Sequence, residues 1–297
     1  MRRKLFIALA LSFASTSSLF SQSPPGTEIY LVKATFSQAS PQFGAPLNVT
    51  MRRGYDNQPA FLPDGSGLLY SSFRDDGQSD IYRYQIVDRA TFQITKTIES
   101  EYSPTLMPGG KYVSVVRVDA DSMQRLWKYP LDGRSPPSRV LEMDGIGYHA
   151  WIDDHTLALF ILGNPPALQI RDTQNGNAQI ISSNTGRCLQ KIPGREAISF
   201  VHKISAHEWL IKQFDIETRQ TAPLLQTLAG SEDYAWTPVA SLLMAHGSKL
   251  YQWHPSRDKD WQEIADFAEA GLSSITRLAV SPKGDWLALV AAETSVK

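Results

Sequence analysis

Residues 57–70 read NQPAFLPDGSGLLY, and after a polar loop residues 79–84 read SDIYRY. Short runs of apolar, aromatic and β-branched residues flank the turn Pro63-Asp64-Gly65, and runs of this kind bounded by turn residues are typical of β-strands. A glycine in the turn supplies the positive φ that a tight hairpin needs. This stretch therefore predicts a β-hairpin followed by a third strand.

The same pattern recurs along the chain. Further copies are YSPTLMPGGKYVSV at 102–115, YHAWIDDHTLAL at 148–159, YAWTPVASLL at 234–243 and ITRLAVSPKGDWLAL at 275–289. The turn position of each copy, including a weaker fourth one, falls at Pro63, Pro108, Asp153, Pro193, Pro238 and Pro282, a spacing of 40 to 45 residues. Such a period is typical of one four-stranded blade of a β-propeller.

The sixth copy supplies only two strands, so its sheet edge needs a partner. Residues 28–33, EIYLVK, match the third-strand sequence SDIYRY, and residues 46–51, PLNVTM, precede the first copy as a fourth strand. We therefore predict an all-β, six-bladed β-propeller over residues 22–297, with the last blade closed by two N-terminal and two C-terminal strands. The one candidate helix is the short stretch Trp261–Ala270.

The N-terminus has the build of a secretory signal peptide. Residues 1–21 begin MRRK, continue with an apolar run from Leu5 to Phe13 and end in small and polar residues. We expect cleavage near Gln22 and a periplasmic or secreted protein, with an uncleaved N-terminal anchor as the alternative. No later stretch approaches the roughly 20 apolar residues that crossing a bilayer requires, so no membrane span is expected.

The composition limits the kinds of partner that the protein is expected to bind. The single cysteine, Cys188, forms no intramolecular disulfide, so the core alone must hold the fold together. The formal charge is −1, and losing Arg2, Arg3 and Lys4 lowers it by three. This balance gives no electrostatic reason to expect nucleic acid as a partner. We expect a monomer that binds a protein or peptide, with a small glycan as the second possibility.

The string PAFLPDG at 59–65, with SDIY at 79–82, resembles the repeat of the TolB-like β-propellers, which are related to the WD-repeat blade. The resemblance covers the chain after residue 21 and weakens in the fourth copy, where Lys191 replaces an aromatic residue. As the family is known, TolB carries an additional N-terminal α/β domain and binds partner proteins in the bacterial envelope. We expect no counterpart of that domain here. The resemblance implies the fold, an envelope or extracellular setting and a bias towards protein binding.

Candidate binding residues lie where each innermost strand begins, because these positions surround one mouth of a propeller's central channel. They combine basic, acidic, aromatic and amide side chains, a set suited to hydrogen-bonding a peptide or a sugar. The predicted ligand-binding residues are Asn57, Gln58, Tyr102, Tyr148, His149, Arg187, Glu232, Asp233 and Arg277. The alternative interpretation is a solvated rim whose ions pair across the channel.

The sequence also allows two enzymatic alternatives. Some TolB-like relatives that cleave pectin fragments hold a metal through propeller histidines, and here His149, His202 and His246 fall on consecutive blades. No metal-ligand spacing supports such a site, so we predict neither a metal nor another cofactor. The sequence also contains no Gly-x-Ser-x-Gly elbow and no phosphate-binding loop. We therefore expect a non-enzymatic binding propeller without catalytic residues, the alternative being a carbohydrate-active propeller that binds or cleaves an acidic oligosaccharide.

Overall fold

The computed structural model describes residues 24–36, 41–74 and 77–293, and the predicted signal peptide at residues 1–21 lies outside them. Five antiparallel sheets of four strands follow one another along the chain. The strands of the first two are β4 (Asp56–Phe61), β5 (Gly67–Phe73), β6 (Ser79–Gln85) and β7 (Ala90–Gln93), then β8 (Ser100–Leu106), β9 (Tyr112–Val118), β10 (Gln124–Pro130) and β11 (Ser138–Arg139).

The next three sheets repeat this order from the innermost strand outwards. The third contains β12 (Ile146–Trp151), β13 (Thr156–Ile161), β14 (Ala167–Asp172) and β15 (Ala178–Ser183). The fourth contains β16 (Thr185–Lys191), β17 (Ala197–Lys203), β18 (Trp209–Asp215) and β19 (Thr221–Gln226). The fifth contains β20 (Tyr234–Trp236), β21 (Leu242–His246), β22 (Lys249–Trp253) and β23 (Gln262–Asp266).

The sixth sheet joins the two ends of the chain. Its inner strands are β24 (Arg277–Val280) and β25 (Trp286–Ala292), and its outer strands are β1 (Thr27–Thr35), β2 (Gln42–Phe43) and β3 (Leu47–Asn48). Strand β1 pairs with β25 over seven residues, from Thr27 opposite Ala292 to Lys33 opposite Trp286. The predicted six-bladed propeller, closed by strands from both ends, is confirmed.

The hydrophobic core lies between the blades. Among the described residues it falls into six clusters, each formed where two neighbouring blades pack together. Adjacent residues of one strand serve different clusters, because side chains alternate between the two faces of a strand. Val115 of β9 packs towards the first blade, whereas Val116 packs towards the third.

Two tryptophans at the ends of inner strands, on β12 and β20, also form hydrogen bonds across a blade interface. Trp151 donates its indole N–H to Ser114 Oγ of the preceding blade at 2.9 Å, and Trp236 donates to Ser199 Oγ at 2.8 Å. Both tryptophans are buried, so a hydroxyl partner is needed to offset the lost hydration of the indole N–H. The fourth copy, which has Lys191 instead of an aromatic residue, reaches the preceding blade through a bond from Nζ to the carbonyl of Ile152.

The helix predicted for Trp261–Ala270 is wrong. Residues Gln262–Asp266 form strand β23 at the outer edge of the fifth blade, where Ala265 pairs with Leu250 and Glu263 pairs with Tyr251 of β22. A local apolar spacing that suggests a helix is overridden here by pairing with an existing sheet. In the part of the chain that the structure describes, no helix is long and apolar enough to cross a membrane.

Candidate functional site: one mouth of the central channel

The inner strands are irregular where they begin. Four of them shift register against their neighbours, between Asn57 and Ala60, Tyr102 and Thr105, Ile146 and Tyr148, and Thr185 and Leu189. A bulge of this kind twists a strand locally and redirects its side chains. Gln58 and Ser103 take up the change with φ values of 58° and 54°. All four irregularities lie at the same end of the channel, which we call the mouth, and the face around it is the mouth face.

Tyrosines occupy one side of the mouth. Tyr55, Tyr102 and Tyr148, from the first three blades, line a cavity of about 750 Å³. Phe73, Val116 and Leu162 add apolar surface to the same cavity. We call this side, contributed by blades one to three, the aromatic half. Its walls offer ring faces and hydroxyl groups together, a combination that accommodates side chains of mixed character.

Charged residues from blades four to six form the opposite side, which we call the charged half. Asp233 lies at its centre: Arg187 Nη2 is 2.6 Å from Oδ2, and Arg277 Nε is 3.4 Å from Oδ1. The carboxylate of Asp233 is 8% exposed and therefore bridges two guanidinium groups with little water between them. Burial opposes the charge on both arginines, but the nearby carboxylate outweighs it and raises the pKa of each.

A second pair lies beside the first. Glu232 accepts a hydrogen bond from the backbone N–H of Arg187 through Oε1, and its Oε2 is 2.7 Å from Lys203 Nζ. Glu232 and Lys203 neutralise each other, whereas Asp233 neutralises only one of its two arginines. Together these five side chains carry one positive charge in excess.

Arg277 is the less fully neutralised of the two arginines, and its guanidinium group lies towards the centre of the mouth. Its guanidinium carbon lies 5.5 Å from the centre of the Tyr148 ring, within the range of a cation–π contact. Among the described residues its two terminal nitrogens make no hydrogen bond, and Nε makes only the 3.4 Å contact with Asp233. Arg277 thus lies between the charged and aromatic halves, and its two terminal nitrogens remain available to donate hydrogen bonds.

Below the mouth, the channel contains a cavity of about 350 Å³ lined by inner-strand residues of all six blades, including His149. The Nε2 atom of His149 lies 2.7 Å from Ser114 Oγ, while Nδ1 is buried without a hydrogen-bond partner in the described structure. Burial lowers the pKa of His149 to about 3. At neutral pH this histidine is therefore an uncharged group of the channel wall.

The nine residues predicted to bind a ligand all lie at or just below the mouth, but they differ in what they offer. Asn57 and Gln58 are buried and engaged: Asn57 Nδ2 donates to Thr27 Oγ1 at 3.2 Å, and Gln58 Oε1 accepts from Ser71 Oγ and from the N–H of Ser103, both at 2.7 Å. These two side chains join blades together. Tyr148, Arg187 and Arg277 are half-buried, and their side chains have hydrogen-bond donors that are less engaged than those of Asn57 and Gln58.

The three histidines considered for a metal site are not brought together. His149 is buried against Ser114, His202 is half-buried near the end of β17, and His246 is exposed at the end of β21. Within the ranges that the structure describes, no group of three or more histidine, cysteine, aspartate or glutamate side chains is arranged to hold a metal ion.

Sequence reasoning missed two residues of the mouth. Tyr55 lies directly before β4, and its pKa is raised by burial although Arg277 and Arg187 lower it. Lys203 ends β17 beside Glu232. Tyr55 could have been found from its place two residues before Asn57, where the first copy begins. Lys203 could have been found because second strands end on the side of the ring where inner strands begin.

The fold and this mouth define a six-bladed β-propeller with a mixed aromatic and charged opening. No family model matches the chain, and neither does any curated protein. Among solved structures, the putative TolB from Agrobacterium tumefaciens matches 92% of this chain and 100% of its own length, with a TM-score of 0.68 and 12% identity. TolB from Acinetobacter baumannii matches over 91% of this chain, with a TM-score of 0.58 and 17% identity.

This chain spans 64% of the length of Acinetobacter TolB. An oligogalacturonate lyase in complex with manganese also matches, over 92% of this chain and 99% of its own, with a TM-score of 0.51 and 14% identity. At such identities the likeness concerns the fold. The resemblance to TolB-like propellers that the repeat predicted is confirmed at that level.

Proposed function

We propose that this protein is a non-enzymatic binding propeller that captures a segment of a partner protein at the mouth of its channel. The observation that carries the proposal is the division of the mouth into an aromatic half and a charged half. A cavity of about 750 Å³ lined by Tyr55, Tyr102 and Tyr148 can take apolar or aromatic side chains, while the charged half fixes orientation.

The surface around the mouth supports protein binding. Large hydrophobic side chains are exposed on loops of the mouth face, namely Met51, Ile98, Met123, Leu162 and Ile204. On loops of the opposite face, the described residues include two such side chains, Val87 and Val239. Leu162 lines the mouth cavity itself, and exposed apolar side chains beside a cavity are characteristic of protein interaction sites.

A second candidate is a carbohydrate-active propeller that binds or cleaves an acidic oligosaccharide. The observation in its favour is that Arg277 lies over the Tyr148 ring, with Arg187 bound to the same Asp233, since guanidinium groups pair with carboxylates and flat rings stack on sugars. His149 would lie deeper in the same channel. We rank this candidate second because the basic residues are partly neutralised by Asp233 and the aromatic half is broad.

The proposed setting is the periplasm or the secretome, and the proposed functional unit is a monomer. The signal-like residues 1–21 support export, and the likeness of the fold to TolB agrees with an envelope protein. N-terminal sequencing of protein recovered from the periplasm and medium of an expressing bacterium would test this directly, with a mature chain starting near Gln22 as the expected result.

The binding face is tested with two matched pairs of substitutions. Ile98 is 88% exposed on the mouth face and Val87 is 83% exposed on the opposite face; Leu162 and Val239 form a second pair at 46% and 39%. A phage-displayed library of random peptides is selected on the immobilised protein. We expect I98D and L162D to lower recovery of the selected peptides about tenfold, and V87D and V239D to leave it unchanged. Equal effects in both members of each pair would contradict binding at the mouth.

A further inference from the structure

The five charged side chains around Asp233 comprise three cations, Arg187, Arg277 and Lys203, and two carboxylates. Asp233 is shared by Arg187 and Arg277, and Glu232 is neutralised by Lys203. A buried or half-buried cation without a full counter-charge is costly, since desolvation penalises the charged form. Arg277, whose side chain is 15% exposed, is the group that bears this cost.

Several hydrogen-bond donors of the mouth are also unused. The terminal nitrogens of Arg277 and the hydroxyl groups of Tyr55 and Tyr148 have no hydrogen-bond partner among residues 24–36, 41–74 and 77–293. The guanidinium carbon of Arg277 lies 5.5 Å from the Tyr148 ring centre, and Tyr148 lines the cavity of about 750 Å³ together with Tyr55. The free donors therefore surround a common space at the entrance of the channel.

We propose that the mouth recognises a carboxylate of the captured peptide segment, held by Arg277 and by the hydroxyls of Tyr55 and Tyr148. This inference rests on the proposed function, because it names the chemistry of the segment captured at the same site. A carboxylate supplies one negative charge, which matches the single positive charge in excess, and its two oxygens accept two parallel N–H bonds from a guanidinium. A dianionic phosphate would overcompensate that charge.

The aromatic half adds a second requirement. A residue adjacent to the carboxylate would enter the cavity of about 750 Å³ next to Tyr102 and Leu162. The expected motif is thus an aspartate, a glutamate or a C-terminal carboxylate beside one or two apolar or aromatic residues. An apolar anchor with one oriented ionic contact is a combination that gives specificity without a large interface.

The test uses the random peptide library on the full-length mature protein and on R277Q. Sequenced peptides selected on the wild type should carry an acidic residue at one fixed position next to apolar residues, and those selected on R277Q should keep only the apolar preference. The most enriched peptide is then synthesised with its acid and with the matching amide. Fluorescence polarisation should show about tenfold weaker binding of the amide to wild type and equal binding of both to R277Q.

Two further variants separate recognition from damage to the fold. R277K keeps the charge but loses the planar pair of donors, so an intermediate preference for the acid is expected. Arg195, which contacts Gln213 and Asp215 on the opposite face, supplies the control R195Q, which should behave as wild type.

The possible outcomes distinguish the two proposals. Peptides that bind at the mouth without an acidic preference would overturn the carboxylate inference and leave peptide capture standing. No enrichment of any peptide would overturn both. Binding of short uronic acid oligomers in an Arg277-dependent manner, without peptide enrichment, would assign the carboxylate to a sugar and overturn recognition of a protein segment.

Discussion

The carboxyl group of Glu101 is buried between the first and second blades. The residue is 0% exposed on strand β8, and its Oε1 accepts hydrogen bonds from the hydroxyls of Thr97 and Tyr129. In the described structure its Oε2 is buried without a partner. Burial raises the pKa of Glu101 from 4.5 to about 7, against the opposing effect of these hydrogen bonds.

This pKa fixes the sign of a pH effect on stability. Between pH 4.5 and 7 the folded chain holds a proton on Glu101 that the unfolded chain has lost, so the contribution of Glu101 to the free energy of unfolding falls as pH rises. The slope is at most about 1.4 kcal/mol per pH unit. We expect the stability of the wild type minus that of E101Q to decrease over this interval, and to be constant above it. Urea denaturation of both proteins from pH 5 to pH 8 measures this difference.

His149 acts in the opposite direction and explains why a comparison with E101Q is needed. Its pKa is lowered from 6.5 to about 3, so the unfolded chain binds a proton that the folded chain does not, and stability falls as pH decreases through this range. The two effects offset each other in the wild type between pH 4.5 and 6.5. A difference curve that stays flat between pH 5 and 7 would mean that Glu101 is ionised in the folded protein throughout.

At the scale of elements, Asp233 joins the beginnings of three inner strands. It immediately precedes β20, and it pairs with Arg187 of β16 and with Arg277 at the start of β24. Ionic contacts between exposed side chains contribute little. This one is different, because the shared carboxylate is 8% exposed and because removing it leaves two guanidinium groups facing each other.

We predict that D233N lowers the free energy of unfolding by about 3 kcal/mol, since breaking a buried ion pair from one side leaves an uncompensated charge, and the value lies at the low end for such pairs because Arg187 is 40% exposed. R277Q should cost less, because Asp233 remains paired with Arg187. The measurement is the urea midpoint at constant m-value. As a control, E263Q removes the exposed pair of Glu263 with Lys249 and should leave the midpoint unchanged. A D233N protein as stable as the wild type would show that the channel mouth tolerates both arginines without their shared acid.

The elements were largely predictable from the sequence because every copy except the third, Asp153-Asp154-His155, has a residue of positive φ in its first turn. The turn at Pro63-Asp64-Gly65 is repeated even where glycine is missing: Ala240, at the position of Gly65 in the fifth copy, also has a positive φ of 58°. The stretch Trp261–Ala270 was misjudged because an outer strand depends on its neighbour for its identity.

For the mouth, the sequence predicted which positions surround the channel but not which of their side chains are free to bind a ligand. The repeat placed residues such as Gln58 and Arg277 at the start of inner strands, but it could not tell which would be engaged between blades. Gln58 is fixed by Ser71 and Ser103, whereas Arg277 keeps free donors. That distinction arises from side chains of different blades meeting across the channel, which no local pattern of sequence records.

At the scale of the whole molecule, the ring depends on a single junction between the chain ends. Strands β1 and β25 pair from Thr27–Ala292 to Lys33–Trp286. The only cysteine, Cys188, is buried in the fourth blade and forms no disulfide. Closure therefore relies on strand pairing and on the apolar cluster around Leu31, and it cannot form until residues from opposite ends of the chain have met.

Substitutions at two buried leucines allow the junction between the chain ends to be compared with the interior of a blade. Leu31 on β1 and Leu126 on β10 are third-strand residues that are 1% and 0% exposed, so L31A and L126A should each lower the free energy of unfolding by about 2 to 5 kcal/mol. Their kinetic effects should differ. Contacts between residues far apart in sequence are expected to form late in folding because closing the chain costs entropy.

L31A should therefore act mainly by accelerating unfolding, whereas L126A, in a blade built from consecutive residues, should also slow folding. Stopped-flow unfolding and refolding in urea, monitored by tryptophan fluorescence, separates the two rates. If L31A slows refolding as much as L126A does, the ends must meet before the transition state, and the propeller would fold by closing its ring first. If L31A leaves refolding unchanged, the blades assemble in sequence and β1 closes the ring last, so that the mouth is completed only when β1 and β25 have paired.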